Sequence, residues 1–129
     1  MHLSPGLEAF LTILKKHNVK LAIATASMKP NVDWYIKTFD LLRFFKKENI
    51  IYDDGTLDRG KPDPLIYQRA FKALNITPEE AIIFEDSLSG LQSAITSKAK
   101  YVISISDRKN KNFDLPGIKY RLNDFNDIP

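Results

Sequence analysis

The sequence contains no cysteine. Disulfide frameworks, thiolate metal sites and cysteine nucleophiles are therefore excluded, and the composition is compatible with the cytoplasm, the location expected here. No apolar run approaches the ~20 residues that a membrane-spanning helix needs, so no membrane partner is expected. The first residues, Met1-His2-Leu3-Ser4-Pro5-Gly6, carry neither a basic segment nor a long apolar stretch, and do not read as a signal peptide. A large charge of one sign is also missing. Nineteen Lys and Arg face 16 Asp and Glu, a net +3. The densest basic run, Arg108-Lys109-Asn110-Lys111, is bounded by Asp107 and Asp114. This mixture reads as a solvated surface, and no nucleic-acid partner is expected.

What is present suits one globular domain over residues 1–129. The chain is 43% hydrophobic and 11% aromatic, which argues against disorder. A chain of this size buries roughly two-thirds of its unfolded surface on folding.

Helical and strand patterns alternate. Ser4-Pro5 predicts a helix start, followed by Leu7, Phe10, Leu11 and Leu14 at helical spacing. Lys15-Lys16-His17-Asn18 closes it, with Asn18 suited to a left-handed cap. The run over 19–25 predicts a strand, and its apolar centre Leu21-Ala22-Ile23-Ala24 suits burial on both faces. Pro30-Asn31 opens a second helix, and 49–52 reads as a short strand. Asp63-Pro64 caps a third helix striped by Ile66, Tyr67, Ala70, Phe71 and Leu74. Thr77-Pro78-Glu79-Glu80 is a capping box. Strands are predicted over 81–84 and 101–105, with a helix through Leu91, Ala94 and Ile95 between them. The tail reads as loop with a helical turn near Phe125. This alternation predicts an α/β domain with a parallel sheet.

In such sheets the site lies beyond the carboxyl ends of the strands. That directs attention to Thr25-Ala26-Ser27, Gly60-Lys61-Pro62 and Glu85-Asp86-Ser87. Two hydroxyls and the start of a helix suit the oxygens of a phosphate. Lys61 supplies a point charge. Glu85 and Asp86 supply the hard oxygens that magnesium prefers. Together they suit phosphoryl transfer. Each also has an ordinary reading: Thr25 as a turn cap, Lys61 as a solvated loop lysine, and Glu85-Asp86 as a surface pair. Order and context give the set its specificity.

Two longer strings, Gly60-Lys61-Pro62-Asp63-Pro64-Leu65-Ile66-Tyr67 and Ile83-Phe84-Glu85-Asp86-Ser87-Leu88-Ser89-Gly90, are more specific. With Ile23-Ala24-Thr25-Ala26-Ser27 they resemble the second, third and fourth motifs of the haloacid dehalogenase (HAD) superfamily. The likeness is to its β-phosphoglucomutase-like and sugar-phosphatase-like branch, and runs from about Leu3 to the end of the chain. It implies a Rossmann-like, HAD-type parallel sheet flanked by helices. Thr25 would contact the transferring phosphoryl group, with Ala26 and Ser27 around it. Lys61 would neutralise its charge. Glu85 and Asp86 would hold Mg²⁺, Asp86 more directly. The substrate implied is a small phosphorylated metabolite, a sugar phosphate in this branch.

The resemblance also identifies what the sequence does not contain. The family's first motif, Asp-x-Asp-Gly-Thr, carries the nucleophile and the acid–base residue on the central strand, and a helical cap follows it. Neither is found, so the sheet is expected to be incomplete. An amino-terminal segment of the same protein becomes a candidate partner. Tyr52-Asp53-Asp54-Gly55-Thr56-Leu57 imitates that motif, but it falls between the second and third motifs and reads as a turn. Three functional readings follow: a magnesium-dependent phosphatase or phosphomutase whose nucleophile lies outside this chain, a non-catalytic HAD-like remnant or interaction module, and an unrelated phospho-receiver domain. The order of the loops fits the last poorly.

Overall fold

The computed structural model describes residues 5–54, 64–105 and 115–127. The first helix, α1, spans Leu7–Lys16 and starts two residues later than Ser4-Pro5 suggests. Gly6 precedes it in the left-handed region at φ 79°. A Cβ there would lie 2.4 Å from Asn126 Oδ1, so glycine is required by conformation and by space. Asn18 ends the helix with φ 58°, as its sequence position predicts.

Strand β1 is Ile23–Met28 rather than 19–25. The shift has a local cause: the Val19 amide donates to Leu14 O at 3.0 Å, which ties Val19 to the helix exit. β1 pairs in parallel with β2, Ile50–Asp53. Its partners run Ile23 with Ile50, Ala24 with Ile51, then Met28 with Asp53. Four steps along β1 thus oppose two along β2, and the surplus falls on Thr25-Ala26-Ser27. Helix α2, Lys29–Phe39, follows at once, with Pro30 in its first turn.

Helix α3, Leu65–Leu74, buries Tyr67, Ala70 and Phe71 and ends at Asn75 in the left-handed region. The capping box forms as predicted: Glu80 Oε1 accepts the Thr77 amide at 3.0 Å and opens a 3₁₀ turn, Pro78–Glu80. Strand β3, Ile82–Glu85, leads through an N-cap at Ser87 into α4, Leu88–Thr96. Strand β4 is Tyr101–Ile105, as predicted. Strand β5, Ile118–Leu122, lies where the sequence reads as loop. Its Ile118, Tyr120 and Leu122 alternate at strand period, but Lys119, Tyr120 and Arg121 are exposed, as befits an edge. A 3₁₀ turn at Phe125–Asp127 confirms the helical turn expected near Phe125.

All pairings are parallel, yet the described strands form two sheets, β1-β2 and β3-β4-β5. No described strand joins β1 to β3. Helices cover both faces. One core joins Leu11, Val32, Leu41, Phe45 and Ile50; the other joins Tyr67, Phe71, Ala81, Ile83, Leu91, Ala94 and Val102. Ala24 of β1 packs on the second core, and α3 packs on β1, β2 and α4. On the opposite face of β3, Phe84 meets Phe10 of α1 at 5.4 Å and Phe125 at 5.5 Å.

Leu91 is fully buried in the second core. Leu91→Ala should lower stability by about 2–5 kcal/mol in urea unfolding. Leu42→Ala, at a residue 53% exposed, should change it by less than about 0.5 kcal/mol.

Candidate active site

The irregular stretch of β1 and the carboxyl end of β3 form opposite walls of a cleft of about 460 Å³. Ala24, Thr25, Ala26 and Ser27 line one wall, and Glu85, Asp86, Ser87, Gly90 and Ser93 the other. Ile66 and Tyr67 at the start of α3 complete it. The strand-end rule thus brings Thr25, Ala26 and Ser27 together with Glu85 and Asp86. Lys61 lies outside the described residues, as do its flanking Gly60, Pro62 and Asp63. So do Gly55, Thr56 and Leu57 of the motif imitation. Tyr52 packs on the first core, and Asp54 lies 3.4 Å from Arg69 Nη1.

Thr25 Oγ1 accepts the Ser27 amide at 3.1 Å, a local bond that steadies the bulge. It matches the ordinary turn-capping reading of Thr25 and also leaves that side chain on the cleft wall.

Glu85 shares a strand face with Ile83, two residues earlier, and that face meets α3. The Tyr67 hydroxyl donates to Glu85 Oε2. Oε1 accepts the amides of Asp86 at 2.9 Å and Ser87 at 3.1 Å, and the Ser87 hydroxyl at 3.2 Å. Ser87 Oγ in turn accepts the Gly90 amide at 3.1 Å, capping α4. Burial raises the Glu85 pKa first, and the nearby Asp86 carboxylate adds to it; the Tyr67 and backbone donors oppose the rise. Burial and the Glu85 charge push the Tyr67 hydroxyl strongly upward, so it stays a donor at neutral pH. Asp86 is exposed on the cleft wall.

The sequence pattern of haloacid dehalogenase-like hydrolases matches residues 2–97. The chain belongs to this family. Among relatives, it is 34% identical over 91 residues to a phosphorylated carbohydrates phosphatase of Thermotoga maritima, covering 70% of this chain and 41% of that protein. It is 31% identical over 103 residues to a β-phosphoglucomutase of Bacillus subtilis, covering 80% and 43%. A HAD hydrolase of family IA, variant 3, from Entamoeba histolytica superposes with a TM-score of 0.89 at 34% identity, over 98% of this chain and 57% of that one. CbbY from Rhodobacter sphaeroides, solved with xylulose-(1,5)bisphosphate, gives 0.82 at 27% identity, over 97% and 55%. The chain thus spans less than half of these two curated relatives, and a little over half of the two solved structures. The fold is the Rossmann-like α/β fold of HAD hydrolases, with its parallel sheet interrupted between β1 and β3.

As a cation site, the donor set fits in kind through Asp86, an exposed carboxylate with hard oxygens, while the Glu85 oxygens beside it already accept the Tyr67 hydroxyl and the loop donors. Among the described residues no third acidic or histidine ligand joins them. No described helix is long and apolar enough to cross a membrane. Tyr67 and Gly90 are the cleft residues whose part the sequence conceals. Tyr67 reads as one more core residue in the α3 stripe, and Gly90 as an ordinary helix glycine.

Ser87 both caps α4 and donates to Glu85. Ser87→Ala should cost about 1 kcal/mol in urea unfolding, with the loss of a helix cap. A stability equal to the parent's would contradict the capping geometry.

Proposed function

We propose that this chain supplies the phosphate- and magnesium-handling half of a HAD phosphatase or phosphomutase. The substrate would be a small phosphorylated metabolite, a sugar phosphate above all. One observation carries the reading: Thr25 and Ser27 line the same cleft as Glu85 and Asp86, bordered by two inner strands that no described strand joins. The names of the phosphatase and phosphoglucomutase relatives support the substrate class.

On this reading an Asp-x-Asp-Gly-Thr segment outside the chain adds the central strand between β1 and β3. Its first aspartate attacks phosphorus, the ester P–O bond breaks, and the departing oxygen takes a proton from the second aspartate. The aspartyl-phosphate then passes its phosphoryl group to water, or to a sugar hydroxyl in a mutase: the aspartyl P–O bond breaks, and the proton of the attacking hydroxyl returns to the second aspartate. Thr25 donates to a phosphoryl oxygen, with Ala26 and Ser27 shaping the wall beside it. Lys61 offsets charge on those oxygens. Asp86, and behind it Glu85, would hold Mg²⁺, which when bound neutralises phosphoryl charge. Residues 1–129 would act as one HAD-like core unit, and the cysteine-free composition favours the cytoplasm.

The test is magnesium-dependent turnover of an aryl phosphate. The 129-residue chain should give none above background. A longer protein that adds the missing motif should turn over, and Lys61→Ala or Asp86→Ala should each lower its rate on the order of 10²–10³-fold. Turnover by the 129-residue chain alone would overturn the proposal. A folded longer protein with no turnover would favour the inactive remnant or interaction module.

A further inference from the structure

The ring of Tyr67 is buried in the second core, where phenylalanine would fill the same space. Its hydroxyl does something the core does not need. It crosses from α3 to the end of β3 and donates to Glu85 Oε2. The other oxygen of that carboxylate accepts three donors, all from Asp86 and Ser87. One carboxylate therefore ties a helix to the loop that carries Asp86. The space it occupies is reserved by Gly90, where a Cβ would lie 2.2 Å from the Glu85 carboxyl carbon.

We propose that Tyr67 is a positioning residue: through Glu85 it sets the β3–α4 loop, and so the place of the Asp86 carboxylate on the cleft wall. The physical basis is the cost of a freed buried acceptor. Without the tyrosine O–H, Oε2 is left in a largely buried place with no donor among the described residues, and the carboxylate must turn toward water. Turning it withdraws Oε1 from the Asp86 and Ser87 amides together. Because α3 also packs on β1, the same tie relates the Thr25 wall to the Asp86 wall. The functional meaning of this tie rests on the phosphoryl-transfer reading above; its existence does not.

Amide hydrogen exchange of the 129-residue chain, resolved by NMR without metal or substrate, tests it. In Tyr67→Phe, exchange at Asp86 and Ser87 should accelerate at least tenfold, while Val102 and Ile103 in β4 change less than twofold. Glu85→Gln added to Tyr67→Phe should bring no further acceleration at those two amides, since both changes break one unit. Gly90→Ala, which pushes the carboxylate from the other side, should reproduce the local effect and serves if the tyrosine variant does not fold. Unchanged exchange at Asp86 and Ser87, or equal acceleration throughout β4, would overturn the proposal. If the local effect is found but the longer protein never turns over phosphate, the functional reading fails and the positioning role stands. Turnover with no local effect leaves the reverse.

Discussion

An interrupted parallel sheet governs this structure. Among the described residues the inner strands β1 and β3 each have one neighbour, and no described strand lies between them. Backbone N–H and C=O groups along such edges cannot be buried dry, because each unmatched group costs about 1–3 kcal/mol. The space between the strand ends therefore stays an open cleft. The burial pattern agrees: β1 has no buried residue, whereas β4, flanked on both sides, has four. Ile82 and Met28 are exposed apolar residues on the two inner strands.

With no ladder between the two sheets among the described residues, side chains carry the connection. Ala24 joins the second core, α3 packs on the β1-β2 pair and on α4, and Phe84 is held against α1 on the other face. The site inherits this arrangement. Its hydroxyls sit where β1 bulges against β2, and its carboxylates sit where β3 turns into α4. Glu85 is satisfied by Tyr67 and the loop amides, which leaves Asp86 as the exposed carboxylate on the cleft wall. Magnesium dependence and the aspartyl-phosphate route belong to the proposal built on this geometry.

Much of this was legible in the sequence where one local signal sufficed. Tyr101–Ile105 is an apolar run bounded by polar residues, and it is a buried strand. Thr77 and Glu80 form their capping box because its bonds span only three residues. The strand-end rule placed Thr25 and Asp86 on one cleft because parallel topology alone decides it. Errors arose where distant partners decide. The start of β1 depends on Val19 being claimed by the α1 exit, and the start of α1 on the approach of Asn126 to Gly6. β5 is concealed by its charged exposed face. The Tyr67–Glu85 bond joins residues 18 apart in sequence, and no pattern on α3 separates that tyrosine from a core aromatic.

The central claim is that the cleft between β1 and β3 receives a further parallel strand. Amide exchange along both strands, compared between the 129-residue chain and a longer protein carrying Asp-x-Asp-Gly-Thr upstream, tests this most directly. The account predicts that amides of β1 and β3 pointing away from β2 and β4 become protected at least about tenfold, with β4 unchanged. Protection that appears at β5 instead, or at neither strand, would contradict it.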